Sequence, residues 1–415
     1  MRDFLPAEKA QREQVLAVIR NTYRAHGFDE IETPVVEDSE RLHAGLGGDN
    51  EKLAYAVMKR GLKPEDFAAA GDSGDYLELA DLGLRFDLTV PLARFYASHR
   101  AELPTVFRAI QIAPVWRAER PQKGRFRQFV QCDIDIIGEA GQLAEIELIT
   151  ATADALTALG IEGATIRIND RRILRRIVSA LGIADENYER ALITIDKEDK
   201  IGVEGVVAEL VENGFGEAAA MTPILEGLAT LHQDGWALDR SAAVPSWLDP
   251  EAYADLLAIR DAVGTAAHLV FSPNLVRGMG YYTGTIFEVA HPDLGYSLGG
   301  GGRYDGMIGR FLGTDVPAVG FSLGFERLVE LVELQDARTQ DAVALVYDAD
   351  VPAARLASLK QELVATGART RLERRTKNPK QLLDALAAQG FTRFAFVTTE
   401  TGSAAELEFR PIAAQ

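Results

Sequence analysis

Two extended apolar runs on either side of a short charged loop constrain the fold of this chain most strongly. The runs are TVFRAIQIAPVWRAE at 105–119 and RFRQFVQCDIDIIGE at 125–139, and RPQKG separates them. Extended apolar pieces between charged turns predict strands, and the short polar loop between them predicts an antiparallel arrangement. The preceding run, LRFDLTVPLARFYA at 84–97, has a similar texture. We expect all three runs to form one strand-rich antiparallel block.

Helices are predicted on both sides of this block. Residues 6–26 have the apolar spacing of an amphipathic helix. The segment FDEIETPVVED follows as a predicted strand, and its internal Pro34 suits a sheet edge or an interface better than a central position. Residues 145–159 form another predicted helix, and residues 171–262 have the Ala/Leu/Glu-rich texture of an inserted helical module.

The predicted fold class is α+β, with an antiparallel sheet flanked by helices, a helical insertion and a small C-terminal α/β domain. A change of texture near residues 335–340 separates the domains, which we place at 1–335 and 341–415. In the second domain AVALVYD, RTRLERR, FAFVTT and ELEFRP alternate with helical segments.

The composition is that of an ordinary globular protein, with 47% hydrophobic and 26% charged residues. The single cysteine, Cys132, excludes an internal disulfide framework. No run of about 18 apolar residues suggests a membrane span. The start, MRDFLPAEKAQREQ, lacks an apolar signal core. We therefore expect a cytoplasmic protein without membrane contact.

The net charge of −18 argues against nucleic-acid binding through general basicity. The charge is uneven, because residues 341–415 contain ten Lys and Arg against nine Asp and Glu, which leaves −19 for residues 1–340. The basic run ARTRLERRTKNPK lies in this last part. It is either a solvated face or a patch that faces RNA, and the RNA candidates are Arg371, Arg374, Arg375 and Lys377.

The hairpin predicted above carries candidate binding residues at its loop. Arg117 and Arg125 lie on either side of the loop, and arginines on a rigid hairpin can grip anionic oxygens bidentately. Phe129 offers a flat face on which a base can stack, and Glu119 can accept a hydrogen bond from an exocyclic amine. A charged surface hairpin is the alternative interpretation.

Three further segments combine glycine with charged or aromatic residues. In LGGGGRYDGMIGR the four glycines allow backbone to lie flat under a ligand, although a flexible turn is the alternative. In VGFSLGFERL, Arg327 lies at the start of a predicted helix, where it either helps to bind an anion or is simply the first polar residue of an amphipathic helix. In LVRGMGYYTGTIFEV, Arg277 precedes the pair Tyr281 and Tyr282, and the alternative interpretation is a glycine-bent strand whose arginine faces water.

Several other chemistries lack their residues in this sequence. The six histidines never approach metal-ligand spacing, and no partner cysteines exist for zinc, so we expect no metal held by the protein itself. No Gly-x-Ser-x-Gly elbow is present for acyl hydrolysis.

Taken in order, these segments resemble the three signature motifs of class II aminoacyl-tRNA synthetases, and more narrowly those of the histidyl-tRNA synthetase family. TPVVED with Pro34 is similar to motif 1, Arg117 to Phe129 to motif 2, and Gly320 to Arg327 to motif 3. LVRGMGYYTGTIFE and GGGRYDG resemble peptides particular to the histidine enzymes. The resemblance covers nearly the whole chain.

The resemblance implies a homodimer that joins L-histidine to tRNA(His) in two steps, with ATP as cosubstrate and Mg²⁺ bound through its phosphates. It implies that Arg117 holds the α-phosphate and the substrate carboxylate, with Arg277 on the opposite side. Arg125 and Arg327 are implied at the γ-phosphate. Phe129 and Glu119 are implied at the adenine ring and its amine.

The resemblance also implies a histidine pocket. Asp135 and Tyr282 correspond to positions that bind the imidazole ring, and Asp87 and Gln131 to positions near the α-amino group. Two further members are assigned to the same pocket, Tyr281 and Tyr304.

One residue departs from the family pattern, because Gly280 stands where an acidic residue is usual. Two alternative functions remain at this point. One is a non-catalytic histidine-binding regulatory paralogue of histidine biosynthesis, and the other is a class II enzyme that charges a different amino acid. Arg117, Arg277 and Arg327 are all present, which favours the catalytic reading over the regulatory one.

Overall fold

The computed structural model describes residues 1–43, 53–120, 126–231, 235–240, 245–276, 280–332 and 341–412. These residues fall into two compact units. The first contains Met1–Arg2 and Leu16–Val332, and the second contains Asp3–Val15 and Glu333–Gln415. None of the described helices is both long and apolar enough to cross a membrane.

An eight-stranded sheet forms the centre of the first unit, with the strand order β1-β5-β6-β11-β10-β9-β7-β8. Six neighbouring strands, from β5 to β7 in this order, pair antiparallel, whereas β1 and β8 join the two edges in parallel. The strands are β1 Asp29–Glu30, β5 Phe107–Trp116, β6 Gln128–Ile137, β7 Thr165–Asp170, β8 Leu269–Phe271, β9 Thr285–Ala290, β10 Gly299–Arg303 and β11 Ala318–Gly324.

The predicted hairpin is confirmed as β5 and β6, which pair in register from Phe107 opposite Ile137 to Trp116 opposite Gln128. The prediction for residues 84–97 is wrong in part, because Thr89–His99 is a helix, α4. Its apolar residues follow helical spacing, and Val90, Ala93 and Tyr96 are all buried.

The strand predicted across FDEIETPVVED is divided around its proline. Asp29–Glu30 pairs at the edge of the large sheet, and β2, Val36–Asp38, joins a separate small sheet. Pro34 lies between the two strands because it has no N–H to donate to a ladder. The small sheet has the order β2-β4-β3, with β3 at Tyr55–Met58 and β4 at Ala80–Leu84.

The described helices before residue 333 include the run predicted between residues 171 and 262, and the first of them, α1, is divided between the two units after Val15. Helix α5 packs against β6 and β11, Tyr23 of α1 lies near Cys132 of β6, and the side chains of β6 that alternate with Cys132 line the site described below. The helices are α1 Pro6–Ala25, α2 Ser39–His43, α3 Pro64–Ser73, α4 Thr89–His99, α5 Leu143–Ala158, α6 Arg171–Ala180, α7 Tyr188–Ile195, α8 Glu198–Glu212, α9 Ala218–Thr230, α10 Pro250–Val263, α11 Asp305–Leu312 and α12 Phe325–Leu331.

The C-terminal residues form a small α/β fold around a four-stranded sheet with the order β13-β12-β14-β15. Its three longer strands are parallel, and separate apolar clusters around Leu345 and Ala344 lie on its two faces. The elements are β12 Ala342–Tyr347, α13 Ala353–Ala365, β13 Arg369–Arg374, α14 Pro379–Ala388, β14 Arg393–Val397 and β15 Arg410–Pro411.

Arg85 holds the segment around Pro34 against the hairpin. Its guanidinium donates to the carbonyl oxygens of Thr33 at 2.7 Å, Pro34 at 3.3 Å and Pro114 at 2.9 Å. The residue is only 2% exposed, and burial lowers the pKa of its guanidinium. A planar guanidinium can serve three carbonyls at once, which an ammonium on a flexible stem does poorly.

We expect Arg85→Met to lower the free energy of unfolding by about 2–4 kcal/mol, because it removes the donors of these buried bonds while keeping the apolar bulk. Urea denaturation of the purified protein measures the effect. Arg100→Met, at an exposed position just after α4, is the control and should cost little. Equal losses in both variants would contradict the role assigned to Arg85.

Candidate active site

A cavity of about 630 Å³ opens over the central strands of the large sheet. Its floor is formed by the exposed faces of β6, β10 and β11, and its walls come from the loops at the ends of these strands. Most of the residues predicted from the sequence line this one cavity. They are Asp87, Arg117, Glu119, Phe129, Gln131, Asp135, Tyr281, Tyr282, Tyr304 and Arg327.

Strand β6 provides a row of functional groups along its cavity face. Phe129, Gln131, Asp133 and Asp135 alternate along the strand and all line the cavity. With about 3.4 Å of rise per residue, the row extends for about 20 Å. It passes from an aromatic ring through an amide to two carboxylates.

Sequence reasoning missed Asp133, although it lies between two predicted site residues at a spacing of two. The signal was available, because residues at i, i+2 and i+4 of a strand share a face. Asp133 is 5% exposed, and burial raises the pKa of its carboxyl, with the neighbouring Asp135 as a second cause. Ser322 faces it across the β6–β11 pair and was also missed.

Asp135 and Tyr304 form a buried pair at the deep end of the row. The Tyr304 hydroxyl donates to Asp135 Oδ1 at 2.6 Å. Burial raises the pKa of Asp135 to about 7, against the lowering effect of this hydrogen bond. Gly320 lies opposite Asp135 on β11, and a Cβ there would stand only 2.0 Å from Asp135 Oδ1.

Three tyrosine rings form one wall beside this pair. The Tyr281 and Tyr282 rings meet edge to face at 4.9 Å between centroids, and the Tyr281 and Tyr304 rings do so at 6.2 Å. A Cβ at Gly302 would lie 2.9 Å from the Tyr282 ring, so the lack of a side chain lets this ring approach β10. The predicted flat glycine backbone is thus a strand of the cavity floor.

Asp87 approaches the cavity from the segment that precedes α4. Its Oδ1 accepts a hydrogen bond from the Val90 backbone N–H at 3.2 Å, within the first turn of the helix. Burial raises the pKa of Asp87 to about 6, although this hydrogen bond and the charge of Arg117 both lower it.

Cationic and aromatic groups occupy the hairpin end of the cavity. Arg117 Nε donates to the Phe86 carbonyl at 2.9 Å, and its guanidinium carbon lies 5.1 Å from the centroid of the Phe129 ring. Glu119 is half-buried beside them. Arg125 lies outside the described residues. A fixed guanidinium beside an aromatic face suits a ligand with a phosphate next to a heterocycle.

Arg327 lines the same cavity from the first turn of α12. Its guanidinium contacts the Ser297 carbonyl and lies 5.0 Å from the centroid of the Tyr296 ring. Glu326, beside it, accepts a hydrogen bond from the Val130 N–H at 3.3 Å and ties α12 to β6.

The predicted Arg277 lies outside the described residues. Gly280 is described and exposed, and a Cβ at this position would meet no atom within 4 Å. The departure from the family pattern therefore leaves open space where a side chain is usual.

The predicted RNA-facing residues lie in and after β13, an edge strand of the C-terminal sheet. Arg371 is half-buried, contacts Gln389 and lies 4.8 Å from the centroid of the Phe391 ring. Arg375 is bonded to Asp348 at 3.3 Å. Arg374 and Lys377 are exposed.

A central antiparallel sheet flanked by helices, with an arginine beside an aromatic ring on its face, agrees with the fold expected of a class II aminoacyl-tRNA synthetase. A family model described as histidyl-tRNA synthetase matches residues 1–328. The chain belongs to the histidyl-tRNA synthetase family.

Relatives along the full chain agree with this assignment. A histidine–tRNA ligase of Leifsonia xyli is 61% identical over 419 residues, which cover 99% of this chain and 97% of the relative. A probable histidine–tRNA ligase of Tropheryma whipplei is 41% identical, with 96% and 94% covered. The histidyl-tRNA synthetase structure from Nostoc sp. PCC 7120 is 26% identical with a TM-score of 0.73, over 99% of this chain and 93% of that one.

A second solved structure shares the fold alone. It is described as an ATP phosphoribosyltransferase regulatory subunit/histidyl-tRNA synthetase from Bacillus halodurans, with a TM-score of 0.74 at 19% identity over 97% of each chain. The 61% relative therefore supports the catalytic reading more strongly than this match supports the regulatory one.

We expect Asp135→Asn to flatten the dependence of stability on pH. The folded pKa of Asp135, about 7, lies above its ordinary value of 3.8, so the folded state holds the extra proton between these values. Raising the pH through this window lowers the free energy of unfolding in the wild type by up to about 4 kcal/mol from this group. Urea denaturation at about pH 4.5 and pH 8 measures the difference between the two proteins. Parallel pH profiles would show that burial does not perturb Asp135.

Proposed function

We propose that this protein is a histidine–tRNA ligase. It activates L-histidine with ATP to histidyl-adenylate, releases pyrophosphate, and transfers the histidyl group to the 3′ end of tRNA(His). The observation that carries this proposal is the buried Asp135–Tyr304 pair at one end of a cavity whose other end holds Arg117 against Phe129.

The imidazole ring of histidine binds at the deep end of the cavity in this proposal. Asp135 Oδ1 is already bonded to Tyr304, so Oδ2 accepts the N–H of the ring. Tyr282 meets the second ring nitrogen, and Tyr281 packs beside it. An amino acid that lacks these nitrogens leaves buried polar groups without partners, and this loss discriminates strongly between substrates.

ATP binds at the hairpin end. Adenine stacks on Phe129, with Glu119 at its exocyclic amine, and Arg117 binds the α-phosphate. Arg327 binds the γ-phosphate. The family resemblance adds Arg125 at the γ-phosphate and Arg277 at the α-phosphate opposite Arg117.

The first step requires no general base, because the attacking group is already a carboxylate. One carboxylate oxygen of histidine forms a bond to the α-phosphorus while the bond to the bridging oxygen breaks, and pyrophosphate leaves with its electrons. Catalysis then depends on alignment of the reactants and on fixed cations at the developing charge.

The cavity also suits Mg²⁺ held mainly by phosphate oxygens. Within the described ranges, no three metal-ligating side chains are placed to hold an ion by themselves. Glu288 and Glu326 line the cavity as separate carboxylates, and either can complete the coordination of an ion that ATP brings. Such an ion neutralises charge on the outer phosphates.

Further assignments rest on the same proposal. Residues 1–335 act as the catalytic domain, with the helical insertion at about 171–262, and residues 341–415 act as the anticodon-binding domain. The protein works in the cytoplasm.

Exposed apolar side chains around the small sheet β2-β4-β3 favour the proposal of a homodimer. Large apolar side chains are exposed on and beside this sheet, including Met58 at 54% and Tyr76 at 69%. Exposed apolar groups that cluster in one region favour an interface between protein surfaces. They are Val35, Val36, Met58, Phe67, Tyr76, Leu77 and Leu82.

Histidine-dependent exchange of pyrophosphate into ATP, followed by charging of tRNA, tests the proposed function directly. We expect exchange with histidine and none with other amino acids. Histidine binding without exchange would instead favour the regulatory paralogue.

We expect Gly320→Ala to raise the KM for histidine on the order of 100-fold, because the new Cβ displaces the Asp135 carboxylate from its pair with Tyr304. The KM for ATP should change little. The control is Gly306→Ala in α11, where a Cβ meets no atom within 4 Å. Equal effects of the two substitutions on the KM for histidine would overturn the placement of the imidazole.

We expect Arg374→Ala with Lys377→Ala to weaken tRNA binding without changing pyrophosphate exchange. The loss of two phosphate contacts should reduce the slope of log affinity against log salt by about 1.4 to 1.8. Filter binding over a salt series measures this slope. Lys360→Ala, exposed on α13, is the control. An unchanged slope in the double variant would remove these two residues from the tRNA site.

A further inference from the structure

Three acceptor oxygens in the cavity have no hydrogen-bond partner. They are Asp87 Oδ2, Gln131 Oε1 and Asp133 Oδ1. In the part of the chain that the structure describes, these are the buried carboxylate or amide oxygens without a partner. Such groups are costly unless something else satisfies them, so a ligand group with several donors is expected beside them.

Asp133 is the member of this set without an assigned role. Its Oδ2 accepts from Gln131 Nε2 at 3.4 Å, and the same Nε2 donates to Ser322 Oγ at 3.3 Å. These bonds occupy the amide donor, while Gln131 Oε1 and Asp133 Oδ1 stay buried without a partner in two side chains that line the cavity. Within the described residues, no lysine, arginine or histidine nitrogen forms an ion pair with Asp133.

The position of Asp133 matches the layout of histidine. Along β6 it lies between Gln131, assigned to the α-amino end, and Asp135, assigned to the imidazole ring. In histidine the α-carbon with its ammonium group lies between the carboxylate and the ring. A ligand that places its ring at Asp135 and its carboxylate towards Arg117 therefore brings its ammonium group beside Asp133.

We propose that Asp133 is a direct binding residue for the α-ammonium group of the substrate, and that it completes a set of three acceptors with Asp87 and Gln131. An ammonium group has three N–H donors, and the cavity presents three unsatisfied acceptors. This assignment rests on the proposed function and adds a specificity-determining residue to it.

Electrostatics supports the same assignment. Burial and the charges of Asp135 and Asp87 all raise the pKa of Asp133, and only Ser322 and Arg117 lower it. An arriving ammonium group offsets this repulsion, whereas an uncharged or anionic group in its place does not. The cavity is therefore built to reject analogues that lack the amino group.

The test compares two ligands that differ only at this group. Histidine carries the ammonium, and 3-(imidazol-4-yl)propionate lacks it. Calorimetric titration without ATP, with the weaker ligand measured by displacement, gives both affinities for the wild type and for Asp133→Asn. We expect Asp133→Asn to lose on the order of 10- to 100-fold in affinity for histidine. Its affinity for imidazolepropionate should stay equal or rise.

An equal loss for both ligands would overturn the assignment and leave Asp133 with a structural role. Absence of histidine binding by the wild type would instead overturn the proposed function. Asp196→Asn is the matched control, because Asp196 is an exposed carboxylate of the same cavity with no assigned role in binding, and it should leave the ratio of the two affinities unchanged. Asp133→Ser removes the charge with a smaller side chain and must reproduce the pattern of Asp133→Asn.

Discussion

One constraint underlies the rest of the structure, because three buried carboxylates form no ion pair with any described residue. Asp133 and Asp135 lie on one strand, Asp87 approaches them, and burial is the largest cause of the raised pKa in all three. Each unit of pKa shift corresponds to about 1.4 kcal/mol of differential interaction. The fold must hold these groups in place against that free energy. A continuous antiparallel sheet does so, because its backbone bonds fix every side chain of β6 independently of the ligand.

The glycines follow from the same constraint. A carboxylate on one strand needs room on the next, and Gly320 provides it opposite Asp135. The Tyr282 ring needs a surface without side chains, and Gly302 provides that on β10. The sequence alone left two interpretations of the four-glycine run, a flexible turn and a flat support. In the structure the run is β10, a flat strand that pairs with β9 and β11 and is not a turn. Such pairing joins residues that are far apart in the sequence, so no local pattern predicts it.

Much of the fold was predictable because its signals are local. Extended apolar runs between charged turns predicted β5 and β6, and amphipathic spacing predicted α1. The strand prediction for the α4 segment was wrong because its aromatic and β-branched residues have strand propensity. The features that start the helix depend on the positions of single residues. Asp87 bonds to the Val90 N–H, and Pro91 lies in the first turn, where a missing N–H costs nothing. Strand periodicity also places Asp133 in the site, but the family resemblance assigned roles only to Gln131 and Asp135 on either side of it.

The polarity of the cavity explains how an acidic protein can bring a zwitterionic amino acid to an anionic nucleotide in the proposed reaction. Along β6 the groups change from a ring beside a guanidinium at Phe129 to carboxylates at Asp133 and Asp135. A zwitterionic amino acid in this field is oriented before any close contact forms, since its ammonium group is attracted to the deep end and its carboxylate is repelled from it. The carboxylate is thereby directed to Arg117, where the proposed reaction needs its nucleophile. In the proposed reaction, the carboxylates whose burial is costly are therefore also the groups that align the substrate.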